Sequence, residues 1–315
     1  MTRPIHAPVL LEETLVALAV RPGGLYLDGT CGSAGHGEAI LRQATPGGRL
    51  VALDRDPAAL QRGRSVLADT PGDRWLLVRS SFANMSDVLA GARGCFDGVL
   101  LDLGYSSDQL EDSSRGFSYS SDGPLDMRLS SDVGPSAAER IRDASVEELT
   151  RVIRNFGEER AARRVALAIE AARTSEAIET TAQLARVVGS VVPERFRTKT
   201  LARVFQAIRI WVNGELEAVE AALPAAVRLL APGGRLVVIA FHSLEDRIVK
   251  RFMVEAARHC ICPPEIPECR CDHVPTLRLV SRKPVRPGSS EVERNPRSRS
   301  ARLRVAERLS GEWAA

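Results

Sequence analysis

The chain has 315 residues, of which 44% are hydrophobic and 26% are charged, as in a globular protein with one large or two small domains. No apolar run approaches the roughly 18 residues that a membrane-spanning helix requires, and residues 1–8 lack the apolar core of a signal peptide. We therefore expect a cytoplasmic protein that has no membrane partner.

The N-terminal third alternates between helix patterns and apolar strand patterns. Helices are predicted at residues 9–20, 38–43, 57–67 and 87–92. Strands are predicted at residues 25–28, 49–54, 75–79 and 96–103. Apolar strands that alternate with helices indicate a mostly parallel sheet covered on both faces, so the expected fold class is α/β.

A glycine-rich turn follows the first strand. Residues 25–37 read Leu-Tyr-Leu-Asp-Gly-Thr-Cys-Gly-Ser-Ala-Gly-His-Gly, so the strand ends in the acid Asp28. Glycines allow a tight turn and a close approach of the backbone to a ligand. The spacing is not the dinucleotide fingerprint, and an acid here suits a ligand with a positive group, such as S-adenosylmethionine. The alternative is a turn that binds nothing.

Residues at the next strand ends suit a nucleoside. Asp54 ends the second strand, where an acid accepts hydrogen bonds from ribose hydroxyls. Phe82 follows the third strand and can lie against an adenine ring, although core packing is the alternative. Asp102 lies near the end of the fourth strand. Ligands of such sheets bind at the carboxyl ends of the strands, so these side chains should line one site.

In a methyl-transfer enzyme, the loop after the fourth strand would face the methyl acceptor. An exocyclic base amine is a poor nucleophile, and an oxygen of Asp102, of Ser106 or of a backbone carbonyl in this loop can hold its protons so that the lone pair points at the methyl group. Tyr105 can stack on an extruded base, or can be an ordinary loop aromatic. Displacement at a sulfonium needs mainly alignment, so positioning would supply most of the catalysis.

A helical block interrupts the α/β pattern. After a polar loop at residues 104–129, residues 134–209 show helix patterns without strands, and capping boxes begin at Ser145 and Thr180. We interpret the block as an inserted all-helical domain. The predicted division is a core with its first part at residues 1–112, an insertion for substrate recognition at 113–210, and a second core part with a basic tail at 211–315.

The C-terminal part returns to the core pattern. A helical stretch over residues 204–230 is interrupted at Gly214 and Pro224, and a fifth strand at 235–241 runs into His242. Acidic residues follow this histidine by one helical turn. The histidine is a candidate general base, or a candidate for binding the nucleobase or a phosphate of the substrate, and a structural histidine is the alternative. Strand-like alternation at residues 276–282 and 302–308 predicts a hairpin on the sheet edge.

The positive charge of the chain is concentrated near its C-terminus. Residues 282–308 carry nine basic and three acidic side chains, a local net charge of +6, so the remainder carries −3. A basic tail on a mildly acidic body suggests a polyanionic partner, and a solvated tail is the alternative.

Four cysteines form a Cys-x-Cys-x6-Cys-x-Cys pattern at Cys260, Cys262, Cys269 and Cys271. Four thiols can bind zinc, but Cys-x-Cys differs from the usual spacing of two to four residues. We predict no metal, and a structural metal remains the open alternative.

Several long motifs resemble those of one family. They include Asp54-Arg-Asp-Pro, Asp122-Gly-Pro-Leu-Asp-Met-Arg and Phe241-His-Ser-Leu-Glu-Asp-Arg. Together with Asp28-Gly-Thr and Phe205-Gln-Ala-Ile-Arg, they make the chain similar to the bacterial small-subunit (16S) ribosomal RNA cytosine-N4 methyltransferase family over residues 6–308.

This resemblance implies a class I, Rossmann-like methyltransferase core with a helical insertion. It implies transfer of a methyl group from S-adenosylmethionine to N4 of a cytidine in the decoding region of 16S rRNA, with the small ribosomal subunit as partner and no DNA. Matching positions imply that the cofactor contacts the following residues: Ala34, Gly35, His36, Asp54, Phe82, Asp102 and Gln109. Tyr105 and Asp108 depart from the family, which usually has a small aliphatic residue and a proline there.

Two other functions are compatible with these features. One is a methyltransferase that acts on another RNA or on a protein. The other is a nonenzymatic RNA-binding factor for ribosome assembly that retains an unused cofactor pocket. The intact glycine turn and the residues at four strand ends favour an enzyme, and the insertion and basic tail favour a large polyanionic substrate.

Overall fold

The computed structural model describes residues 8–260, 262, 268, 270–271 and 273–310. The chain forms two compact units, one of Met1–Gly104 with Leu216–Ala315 and one of Tyr105–Glu215. The sequence analysis places the boundaries between these units at 112/113 and 210/211. The boundaries in the structure differ from these because Tyr105 and Ser106 make side-chain contacts with residues of the second unit, and Glu215 pairs with Arg209 of that unit.

The first unit is built on a seven-stranded sheet of order β3-β2-β1-β4-β5-β7-β6. Its strands are β1 (Leu25–Asp28), β2 (Arg49–Asp54), β3 (Trp75–Arg79), β4 (Phe96–Asp102), β5 (Leu230–Ala240), β6 (Leu277–Leu279) and β7 (Arg302–Arg308). Strands β1 to β5 pair in parallel, and β7 runs antiparallel to both β5 and β6. The expected α/β fold class with a mostly parallel sheet and the expected C-terminal hairpin are therefore confirmed.

Successive side chains of the central strands are buried on opposite faces of this sheet. On β4, Val99 and Leu101 pack in a cluster with Val219 and Met253, whereas Leu100 packs in a second cluster with Ile40. Both clusters are buried, because side chains on a strand alternate between its two faces and helices cover each face. This double covering explains why the strands read as nearly continuous apolar runs.

The helices of the first unit lie between or next to the sheet strands along the chain. They are α1 (Leu11–Leu18), α2 (Gly35–Gln43), α3 (Pro57–Val66), α4 (Met85–Val88), α11 (Glu215–Leu229), α12 (Ser243–Ala256) and α13 (Ser289–Arg294). The interruption predicted at Pro224 is wrong, since α11 continues through that residue. Buried neighbours such as Leu223 and Val227 anchor the helix, and their packing offsets the one backbone hydrogen bond that proline cannot donate.

The second unit consists of helices around its own core. They are α5 (Ser107–Glu111), α6 (Ala137–Asp143), α7 (Val146–Gly157), α8 (Ala162–Ser175), α9 (Thr181–Ser190) and α10 (Glu194–Asn213). The polar loop before α6 also contributes to this core through Phe117, Leu125 and Met127. Asn213 fixes that loop, because its side chain donates to the carbonyl of Met127 and accepts from the amide of Leu129.

Among the helices of the described ranges, none is long and apolar enough to span a membrane.

Candidate cofactor and active site

Three acids meet at the carboxyl edge of neighbouring parallel strands. Asp28 ends β1, and its register partners are Ala52 on β2 and Leu100 on β4. Asp54 and Asp102 each lie two residues beyond those partners and end β2 and β4. The sheet thus brings together the strand-end acids that the sequence suggested, at the edge where such folds bind ligands.

Thr30 ties the ends of β1 and β4 together. Its amide and hydroxyl donate to Asp28 Oδ1 over 2.9 and 3.2 Å, and its hydroxyl oxygen accepts from the amide of Asp102 over 2.7 Å. The turn is also closely packed, since a Cβ on Gly29 would lie 2.5 Å from Leu101 Cδ2. Sequence reasoning missed this role of Thr30, although the Asp-Gly-Thr motif was its signal.

Asp54 holds the glycine turn against the second strand. Its Oδ2 accepts from the amide of Gly32 over 2.8 Å, and its Oδ1 accepts from the amide of Asp56 over 2.9 Å. Burial nevertheless raises the pKa of Asp54 above its usual value. Each carboxylate oxygen can accept a second hydrogen bond, so the acid can shape the turn and still receive the hydroxyls of a ligand.

His36 and Asp102 have buried polar atoms that make no hydrogen bond within the described part of the chain. His36 lies in the first turn of α2 and is only 6% exposed. Its Nε2 lies 3.6 Å from Asp102 Oδ2, too far for a hydrogen bond. Within the described ranges, neither ring nitrogen of His36 nor Asp102 Oδ1 has a hydrogen-bond partner. Buried polar atoms normally have one, so this corner fits a polar ligand.

The start of α2 and the residue after β3 complete the edge. Ala34 is the N-cap of α2 in the left-handed region at φ 61°, and it is fully buried. A Cβ on Gly35 would lie 2.6 Å from Pro8 Cγ, so only glycine fits there without a shift. Phe82 is partly buried against the core, and a Cβ added to Gly29 would lie 3.3 Å from the Cβ of Phe82. Both predicted roles of Phe82, adenine contact and core packing, remain compatible with this position.

Cys31 is not a nucleophile in this turn. Burial raises the pKa of its thiol far above the ordinary value, and the carboxylates of Asp28 and Asp54 add to that shift. The thiol therefore stays protonated at neutral pH and has little reactivity.

Asp28 is an ionisable group that is buried in the folded chain. It is 1% exposed, and burial raises the pKa of its carboxyl to about 6, opposed mainly by nearby His36 and by the amide of Thr30. The unfolded chain should ionise near the ordinary value of about 3.9. The folded state therefore binds more protons between these two values, and stability conferred by the neutral carboxyl is lost as the pH rises through 6.

We expect Asp28→Asn to gain stability relative to the wild type as the pH rises. The amide keeps an acceptor for Thr30 and has no charge to bury, so the difference in free energy of unfolding should move in its favour by about 2–3 kcal/mol between pH 4 and pH 7. Urea unfolding of the cofactor-free proteins at a series of pH values measures this. The exposed Asp87→Asn is the matched control. A difference that stays flat with pH would show that Asp28 is not the buried acid described.

Tyr105 is already engaged within the helical unit. Its ring stacks on Phe117, with centroids 5.5 Å apart and an interplanar angle of 13°, and the Arg209 guanidinium carbon lies 4.6 Å from its centroid. Arg209 in turn donates two 2.9 Å hydrogen bonds to the carboxylate of Glu215, and both residues are buried. These contacts give the ring a packing role, and stacking of Tyr105 on an extruded base stays a prediction.

Ser106 and Gln109 form a capping box at the start of α5. The amide of Ser106 donates to Gln109 Oε1 over 3.0 Å, and the amide of Gln109 donates to Ser106 Oγ over 3.2 Å. The hydroxyl of Ser106 can still donate, and the Gln109 side chain is 7% exposed.

His242 caps helix α12. Its Nδ1 accepts from the amide of Glu245 over 3.4 Å, while Glu245 Oε2 accepts from the amide of His242. An Nδ1 that accepts requires the neutral ring to carry its proton on Nε2, which lies 3.2 Å from Glu245 Oε1 but makes no hydrogen bond within the described ranges. His242 therefore has a structural role as a helix cap, and its role as a general base stays a prediction.

Comparison with known proteins gives one consistent result. The sequence profile of the MraW methylase family matches residues 3–309. A protein named ribosomal RNA small subunit methyltransferase H from Thermomicrobium roseum is 51% identical, over 97% of this chain and 94% of that protein. A protein of the same name from Symbiobacterium thermophilum is 49% identical, over 98% of this chain and 98% of that protein. Another from Heliobacterium modesticaldum is 46% identical, over 96% of this chain and 98% of that protein.

Among solved structures, an rRNA methylase from Streptococcus thermophilus aligns over 98% of this chain and 99% of that one. Its TM-score of 0.43 and 10% identity are too low to bear on function. The sequence relatives and the profile, by contrast, cover almost every residue and confirm the resemblance drawn from the motifs. The chain belongs to the MraW methylase family of S-adenosylmethionine-dependent methyltransferases.

Proposed function

We propose that this protein is a ribosomal RNA methyltransferase that methylates N4 of a cytidine in the decoding region of 16S rRNA. The observation that carries the proposal is that Asp28, Asp54 and Asp102 end neighbouring strands at one sheet edge, where His36 and Asp102 have buried polar atoms without a hydrogen-bond partner among the described residues. The names of relatives at 46–51% identity support the small-subunit RNA as substrate. The choice of cytosine N4 follows from the motif resemblance.

The strand-end residues suit the parts of S-adenosylmethionine, which supplies an electrophilic methyl group when bound. Asp54 would accept hydrogen bonds from the ribose hydroxyls, and Phe82 would lie against the adenine. Asp28 and His36 would face the methionine end, where the ionised carboxyl can pair with a cation. Gln109 and the backbone of Ala34 and Gly35 would complete the contacts that the resemblance implies.

Asp102 would orient the acceptor amine. Its Oδ1 is buried and lacks a partner within the described ranges, so it can accept a hydrogen bond from an exocyclic N–H. Such a bond turns the nitrogen lone pair out of conjugation with the ring and towards the methyl group. Ser106, four residues on, is the second candidate oxygen. The base must leave its stack to reach these groups.

The exposed positive charge available for RNA is smaller than the sequence suggests. Arg302 and Arg304 of β7 pair with the buried Asp246 over 2.8 and 2.6 Å. Arg308 donates to the carbonyl of Leu230. These contacts belong to the fold, and they hold the pKa of Asp246 below its usual value through charge pairing and hydrogen bonds that outweigh its burial. The remaining basic residues of 282–299 are exposed and are the better candidates for phosphate contacts.

Transfer of labelled methyl groups in vitro tests the proposal. Purified protein and labelled S-adenosylmethionine are incubated with small subunits, with deproteinised 16S rRNA and with subunit proteins alone, and the labelled nucleoside is identified after digestion. We expect labelled N4-methylcytidine from the RNA. Label in protein, or in another nucleoside, would identify a different methyltransferase. Absence of both transfer and calorimetric cofactor binding would favour the nonenzymatic assembly factor.

We expect Tyr105→Ala to lower the free energy of unfolding of the helical unit by about 2 kcal/mol or more, because it removes the ring between Phe117 and Arg209. Tyr105→Phe keeps both ring contacts and should be nearly neutral. Urea unfolding measures stability, and turnover on subunits is measured well below the unfolding transition. Unchanged turnover of Tyr105→Ala would eliminate base stacking by this residue. An unchanged unfolding midpoint would contradict its packing role.

A further inference from the structure

Three cysteines come together in the connection between α12 and β6. The Sγ atoms of Cys260, Cys262 and Cys271 all lie within 4.8 Å of one another. Cys260 and Cys271 are 11 residues apart in the sequence, so their contact does not follow from adjacency along the chain. Neither the methyl-transfer site nor the family resemblance uses this cluster.

The separation of the sulfurs matches that of two ligands on one zinc ion. Cys260 and Cys271 have their Sγ atoms 3.7 Å apart. Zinc–sulfur bonds of about 2.3 Å at a tetrahedral angle place two sulfurs about 3.8 Å apart. A disulfide would need about 2.05 Å, so the two thiols are arranged as neighbours and not as a bonded pair.

Backbone amides point at two of the sulfurs. The amide of Cys262 donates to Cys260 Sγ, and the amide of Arg270 donates to Cys262 Sγ, each over 3.4 Å. Such outer contacts fix the direction in which a ligand atom points.

The two ends of the connection lie close together. The connection leaves α12 after Ala256 and returns at Thr276, whose amide donates to the carbonyl of Ala256 over 2.9 Å. A metal bound by cysteines of this connection would stabilise it by closing a loop within it.

We propose that Cys260, Cys262 and Cys271 bind a structural zinc ion that closes the α12–β6 connection. Cys269, the remaining cysteine of the pattern, lies outside the described residues. Each bound thiol releases its proton to solvent, and zinc undergoes no redox change. The prediction of no metal rested on the unusual Cys-x-Cys spacing, and the fold meets that objection by bringing the sulfurs of Cys260, Cys262 and Cys271 together.

Metal analysis of the full-length protein, purified without an affinity tag or chelator, tests the proposal. We expect about one zinc per chain in the wild type. The matched control Cys95→Ser removes an exposed cysteine elsewhere and should retain the metal, whereas Cys260→Ser/Cys271→Ser should lose most of it.

A second measurement does not depend on the folding of a variant. Zinc is removed from the wild type with a chelator under reducing conditions, and Zn²⁺ or Co²⁺ alone is added back. We expect the unfolding temperature to fall and then recover, and cobalt to give a thiolate charge-transfer absorption band. Wild-type protein that neither contains nor takes up zinc when reduced would overturn the proposal. Full zinc content in the double serine variant would overturn it as well.

Discussion

Asp102→Ala is expected to lower the rate of methyl transfer by about 10²-fold or more, because alignment of the acceptor amine supplies most of the catalysis. The carboxylate ends β4, and its Oδ1 is the buried acceptor that lacks a partner in the described ranges. Asp102→Asn keeps one oxygen but replaces the other by a donor, so we expect an intermediate rate. Single-turnover transfer to small subunits at saturating cofactor measures the effect.

The exposed Asp87→Ala removes the same group elsewhere and serves as the control. Calorimetry with S-adenosylmethionine separates two roles of Asp102. Weaker cofactor binding with a normal rate at saturation would assign the residue to holding the cofactor. A rate within about twofold of the wild type in Asp102→Ala, with normal cofactor affinity, would exclude Asp102 from both roles.

Arg209→Met is expected to destabilise the helical unit by about 3–5 kcal/mol, the cost of leaving a buried charge without its partner. Arg209 and Glu215 are 9% and 5% exposed and share two hydrogen bonds of 2.9 Å. The same guanidinium covers Tyr105, so its loss also removes a ring contact. Urea unfolding of the full chain measures the change.

Two further variants test whether the unpaired buried charge causes the loss of stability. Arg209→Met/Glu215→Leu removes both charges and should recover most of the lost stability. Arg151→Ala removes an exposed arginine that lies 3.7 Å from Glu148 on α7, and it should cost less than about 1 kcal/mol. A double variant no more stable than Arg209→Met would mean that shape, and not charge, makes Arg209 important.

The sheet and its ligand edge could be predicted because their signals are local. Apolar runs that end in Asp28, Asp54 and Asp102 identify β1, β2 and β4, and parallel pairing then places the three acids at one edge. The capping box at Thr180 is likewise visible in four residues, and the structure contains it at the start of α9. Such features depend on neighbours in sequence, so one chain suffices to find them.

Features that depend on distant partners could not be predicted. The ion pairs of Arg302 and Arg304 with Asp246 span more than fifty positions, so both arginines looked like parts of a free basic tail. The hydroxyl of Thr30 meets the amide of Asp102 only after β1 pairs with β4. Pro224 looked like a helix end because propensity is local, and tertiary packing overrides it.

Nucleoside mass spectrometry of 16S rRNA from cells with and without the gene tests the central claim most directly. We predict that N4-methylcytidine disappears from the decoding region when the gene is deleted, that the wild-type gene restores it, and that Asp102→Ala does not. N4-methylcytidine that persists unchanged in the decoding region of the deletion strain would contradict the proposed function.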